Sequence, residues 1–135
     1  MLQRYPFISF NTAFLIARIM TAVFFIAHAW VRIALGTIPQ FGKFMESLGF
    51  PFGVALVWAI TVTELVCGTL LILNRWTRWA TIPLAIIVIV GIGLIHIHLG
   101  WFVGEHGTGG SEYSVALLVL LLLVATWDAK GAKAA

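Results

Sequence analysis

The chain has 135 residues, 61% of them apolar and only 10% charged, with a mean hydropathy of +1.06. That balance excludes an ordinary water-soluble domain, in which about 25% of residues are charged, and makes lipid the expected solvent. The net charge of +3 arises from scattered Lys and Arg with no basic run, which excludes a nucleic-acid surface, and the single cysteine, Cys67, excludes an internal disulfide or a Cys-x-x-Cys pair.

The hydropathy pattern predicts an all-α fold, a four-helix bundle integral to the membrane, as one transmembrane domain over residues 1–135. A spanning helix needs roughly 20 apolar residues to cross about 30 Å of hydrocarbon. Four runs approach that length, at about residues 12–35, 52–73, 79–99 and 111–127. The first run has features of a signal peptide, with Arg4 ahead of it and Ala27-His28-Ala29 as a small-residue site. Arg18 interrupts what would be an over-long apolar region, so the run is expected to be retained as a span. Pro51 and Pro83 fall at or near helix starts, and Gly36, Gly49, Gly100 and the stretch from Gly104 to Gly110 punctuate the loops.

Lys and Arg in short loops set orientation. Arg4, Arg75, Arg78, Lys130 and Lys133 share one side, whereas the other carries Lys43 with Glu46, Glu105, His106 and Glu112. Both termini are therefore expected in the cytoplasm. Trp76, Trp79 and Trp127 would anchor the inner interface and Trp30, Trp101 and Tyr113 the outer one.

An ionisable residue inside a span costs about 2.5–3.5 kcal/mol on insertion scales, so Arg18, His28, Arg32, Glu64 and His96 each require a partner or a role. At about 100° per residue, Arg18, His28 and Arg32 share one face of the first helix. Arg18 and Glu64 lie at comparable depth from the inner end, which predicts an ion pair between them, structural or part of a proton relay. Gly53, Thr61 and Gly68 on the Glu64 face allow close helix approach. His28, Arg32 and His96 lie near the outer end, with Glu105, His106 and Glu112 just beyond, a composition that suits a metal, a haem or a quinone headgroup. His96 and His98 point about 200° apart on a helix and form no metal motif. The Gly-rich run from Gly100 to Glu112 reads either as a flexible cover over that end or as a solvated loop.

In order and spacing these residues resemble the DoxX family of small bacterial membrane proteins, from about Ala17 to Leu123. Arg18 opens the first helix, and His28-Ala-Trp-Val-Arg32 resembles the family's His-Gly-x-x-Lys element. Phe44 to Pro51 is similar to its Phe-x-x-x-Gly-x-Pro loop, Glu64-Leu-Val-Cys-Gly68 to its Glu-x-x-Gly-Gly, and Trp76-Thr-Arg78 to its Leu-Thr-Arg turn. His96 with Gly100-Trp-Phe102, then Gly110-Ser-Glu112-Tyr113, resemble its His-x-x-x-Gly-Phe and Gly-x-Glu-Tyr elements. Ala29 and Arg32 replace the usual glycine and lysine, and Cys67 replaces the first glycine after the glutamate element. The resemblance implies a multi-pass protein of the bacterial cytoplasmic (inner) membrane in a redox setting.

The expected function is a quinone- or lipophile-binding subunit of a membrane oxidoreductase system. His28, Arg32, His96 and Glu112 are the expected ligand-binding residues, and Arg18 and Glu64 organise the bundle. Without a dinucleotide-binding glycine unit, a cysteine pair or a recognised metal motif, such a subunit would not complete a redox reaction alone and calls for a redox partner subunit. Self-association is left open. The alternative is a non-enzymatic membrane scaffold or assembly partner for a soluble redox protein. A small transporter ranks third, because no inverted repeat or broken-helix pair is evident.

Overall fold

Ser9 starts the first helix by accepting the Thr12 backbone N–H on its hydroxyl at 3.1 Å, a typical N-cap arrangement. In the computed structural model, which describes residues 7–131 and side chains as far as Trp127, this helix, α1, runs over Phe10–Ala34. It is followed by α2 (Ile38–Ser47), α3 (Gly53–Ile72), α4 (Thr77–Leu94), a 3-10 helix (His96–Leu99) and α5 (Glu112–Gly131). The described residues contain no strand, as the all-α expectation requires. Helices α1, α3 and α4 are each long and apolar enough to cross a membrane. The apolar part of α5 is shorter, Glu112–Trp127.

The four long helices close into a ring in which α1 packs on α3, α3 on α4, α4 on α5 and α5 back on α1. Phe14, Ala22, Phe25, Cys67, Leu71, Ala80, Leu84, Leu117, Leu121 and Val124 form its buried centre. Outward-facing residues such as Leu15, Val62, Ile89 and Leu122 remain exposed and apolar, the pattern of a bundle whose surroundings are hydrocarbon. Phe14 stacks on Trp127 at 4.5 Å, which places the start of α1 beside the end of α5. Arg4 and Lys133 of the orientation argument lie outside the described residues, as does the side chain of Lys130.

Four expectations are corrected. Residues 38–47, expected as loop, form the amphipathic helix α2, which buries Ile38, Gly42 and Met45 against α3. Gly42 and Gly53 make this contact at backbone distance: a Cβ on Gly53 would collide with the Gly42 carbonyl oxygen. The third apolar run is not one helix to Leu99, because α4 ends at Leu94 and the chain turns at Ile95 into the 3-10 helix. Pro83 lies inside α4, six residues beyond Thr77, and not at its start. Trp127 is half-buried against Phe14 and Phe10, whereas Trp76 and Trp79 are exposed as interfacial anchors should be.

Candidate functional site

Arg32 extends from the last turn of α1 toward α3, where one Nη1 donates to Glu64 Oε2 at 2.8 Å and to Thr61 Oγ1 at 2.8 Å. Thr61 passes its own hydroxyl proton to the Val57 carbonyl at 2.7 Å, so its lone pairs face the guanidinium. The Phe41 ring of α2 lies 5.6 Å from Arg32 Cζ and adds a cation–π contact. Glu64, Thr61 and Arg32 thereby lock α1 to α3, with Glu64 almost wholly buried.

The expected ion pair between Arg18 and Glu64 is replaced by this one. Arg18 is buried and donates from Nη1 to the Leu71 carbonyl at 2.8 Å, near the C-terminal end of α3. The reason is directional. Every Cα–Cβ bond of a helix tilts toward its N-terminus, so on α1 both arginine side chains lean toward Phe10. For Arg18 that direction leads away from Glu64 and toward the negative end of the α3 dipole, while for Arg32 it leads down into the bundle and onto the carboxylate.

Beside the Arg32–Glu64 pair lies a cavity of about 430 Å³. Phe25, His28 and Arg32 of α1, Phe41 and Met45 of α2, Leu56, Ile60 and Glu64 of α3, Gly91 of α4 and Leu117 of α5 are among its walls. The lining is mostly apolar, with polar groups gathered from Arg32, Glu64, His28, His96, Tyr113 and Ser114. This combination, an apolar chamber with a few convergent polar atoms, is the usual construction of a site for a small organic molecule. Among the described residues, no three His, Cys, Asp or Glu side chains gather as a metal-ligand group.

His96 is held by the loop that follows it. Its Nδ1 lies 2.7 Å from the Gly109 carbonyl oxygen, which only accepts, so Nδ1 carries the proton and Nε2 of a neutral ring keeps its lone pair. The loop itself is a closed hairpin: Gly110 N–H donates to Phe102 O, Ser111 N–H to Gly100 O and Glu112 N–H to Trp101 O. Of the two readings of the Gly-rich run, a flexible cover or a solvated loop, the observed form is a tied structure that orients His96.

Of the expected ligand-binding residues, His28, Arg32 and His96 line the cavity together. Glu112 does not: its Oε1 accepts the Val103 backbone N–H at 2.9 Å and fixes the loop to α5. Glu64, expected in an ion pair that is structural or part of a proton relay, joins the cavity wall. Tyr113, expected as an interfacial anchor, also lines the cavity and lies with its ring centroid 6.3 Å from that of His28. Ser114 was not singled out by the sequence; its place in the first turn of α5, after the polar residues Ser111 and Glu112, is the only signal the sequence carries for it.

The profile of the DoxX family matches residues 13–97, well over half of the chain, from α1 to the 3-10 helix. The matched stretch contains His28, Arg32, Glu64 and His96 but stops before the hairpin loop and α5. No curated protein and no solved structure matches the chain.

Proposed function

Since the chain belongs to the DoxX family, we propose that it is a membrane subunit that binds a quinone or a similar lipophile as part of an oxidoreductase system. The observation that carries this reading is the meeting of His28, Arg32, Glu64 and His96 at one side of an apolar chamber inside a lipid-facing bundle. A quinone needs that division of labour, with donors for its ring oxygens and apolar walls for ring and tail. Arg32 supplies permanent N–H donors, and His96 offers an Nε2 that accepts from a hydroxyl or, once protonated, donates to a carbonyl. Bound there, a quinone would supply the electron-carrying chemistry, and the chain's own residues would orient it and exchange protons with its oxygens. Glu64, anchored through Oε2, and His28 are the further polar groups that line the cavity and would be available to a bound quinone. The donor or acceptor protein would meet the basic face, which the Lys and Arg distribution leads us to expect on the cytoplasmic side.

Titration of the detergent-solubilised protein with decyl-naphthoquinone tests the reading. His96→Ala is expected to weaken binding by about 1–3 kcal/mol, the cost of removing one partner of a buried polar contact. His98→Ala should be nearly silent, because His98 is exposed and does not line the cavity. Equal losses from the two variants would remove His96 from the site. Failure of the wild type to bind, with a soluble redox protein co-purifying in its place, would favour the scaffold role.

A further inference from the structure

The four seams of the helix ring differ in how they are closed and in what lines them. Between α1 and α3 the Arg32 bonds to Thr61 and Glu64 and the contact of Ile26 with Gly68 leave no gap, since a Cβ on Gly68 would lie 2.7 Å from the Ile26 side chain. Between α1 and α5, Tyr113 bridges to Phe24 at 6.0 Å and to His28 at 6.3 Å, and Trp127 closes the far end on Phe14. The α4–α5 side is held by the buried residues Val88, Leu117 and Leu121 and by the His96 bond to Gly109. At the loop end, Phe41, Met45 and Phe50 stand beside the cavity from the α2 side.

The seam between α3 and α4 differs along its length. At the Leu71 end the helices are joined by a short turn and share the buried cluster of Cys67, Leu71, Ala80 and Leu84. Toward the other end, Ile86 and Val90 line the cavity and yet remain 55% and 43% exposed on the outside of the bundle. A side chain that touches both the chamber and the surroundings marks an opening between them; His28 and Tyr113 do so between α1 and α5, where the rim is polar, whereas at α3–α4 the rim is aliphatic. Leu56 and Ile60 stand on the facing helix at matching depth: about 5 and 11 Å from the start of α3, against about 6 and 12 Å from the end of α4 for Val90 and Ile86. All four are aliphatic, and at that depth a spanning bundle is surrounded by hydrocarbon.

We propose that the cavity exchanges its ligand sideways with the bilayer through the α3–α4 seam, the ligand's hydrocarbon tail remaining between Leu56, Ile60, Ile86 and Val90 while its polar end rests near Arg32 and His96. This rests on the lipophile-binding reading and adds to it the route and the orientation of the molecule. A ligand without a tail gains nothing from the seam, so the site selects amphiphiles already dissolved in the membrane over water-borne ring compounds of the same headgroup.

The test uses decyl-naphthoquinone carrying a diazirine on the second carbon of its tail, with the full-length protein in lipid nanodiscs. After irradiation, mass spectrometry is expected to find the adduct on residues 56–60 and 86–90. In parallel, Ile60→Trp and Val90→Trp, which narrow the seam, should weaken decyl-naphthoquinone binding at least tenfold more than they weaken methyl-naphthoquinone binding. Adducts on the hairpin loop, or along α1 and α5, with binding intact would overturn the lateral route while leaving the binding function standing. Equal weakening of both ligands by the two tryptophan variants would also overturn it. If neither ligand binds wild type, the binding function falls and the route with it.

Discussion

Arg32→Ala is expected to be among the most damaging single truncations in the chain, lowering stability by about 3–5 kcal/mol, because it leaves the Glu64 carboxylate buried without its cation. Thr61 loses the same donor, so two α1–α3 ties vanish in one substitution. Thermal unfolding in mild detergent measures the loss. Glu64→Gln should cost much less, since the amide still accepts from the guanidinium and the remaining charge lies near the end of α1, where Arg32 can turn outward. The paired replacement of Arg32 and Glu64 by Met should recover most of the stability, as apolar substitutes for buried ion pairs commonly do, and abolish quinone binding. Arg18→Ala, with a single backbone carbonyl as its partner, should be milder than Arg32→Ala. The opposite order would mean that Arg18, and not Arg32, holds the carboxylate.

Gly53→Ala should be the second large effect. A methyl group there meets the Gly42 carbonyl oxygen, a backbone atom that no rotamer change can move, and it also crowds the Glu46 side chain that accepts the Gly53 N–H at 3.0 Å. Overpacking of this kind costs about 1–3 kcal/mol where neighbours can shift and more where they cannot. The expected outcome is displacement of α2 from α3, read as faster amide exchange over residues 38–47 and loss of the Phe41 and Met45 walls of the cavity. Gly91→Ala is the matching control, since a Cβ at Gly91 meets nothing within 4 Å. If Gly53→Ala leaves exchange in α2 unchanged, the close crossing is not what seats that helix.

The long helices were legible because an apolar run in a chain this poor in charge has one physical outcome, a hydrogen-bonded helix in lipid. What escaped was finer. Helix α2 carries its signal in Ile38, Phe41 and Met45 at helical spacing, but Pro39 and Gly42, set between the loop glycines Gly36 and Gly49, masked it. The break at Ile95 follows Gly91 and Gly93 in the last turn of α4, but apolar residues continue past it; His96 is held there through its Nδ1 by Gly109, thirteen residues on, a contact that no local pattern encodes. The choice between Arg18 and Arg32 as the partner of Glu64 depended on where helix side chains lean, and depth counted from Cα positions alone chose the wrong arginine. Grouping His28, Arg32 and His96 succeeded for a simpler reason: all three lie near one end of the same bundle, and polar atoms there turn inward. Glu112 lies at that end too, but a neighbouring backbone N–H claims its carboxylate.

The measurement closest to the central claim compares small molecules carried by wild-type protein and by Gly91→Leu, purified in mild detergent and analysed by native and extractive mass spectrometry. Gly91 lines the cavity and a Cβ there meets nothing within 4 Å, so a leucine side chain is expected to occupy part of the chamber. The account predicts that wild type retains a quinone-like amphiphile, or takes up added decyl-naphthoquinone at one per chain. Gly91→Leu, with unchanged thermal stability, should lose at least nine-tenths of it. Equal occupancy in the two proteins, or none in the wild type even with the quinone supplied, would contradict a ligand-binding role for this cavity.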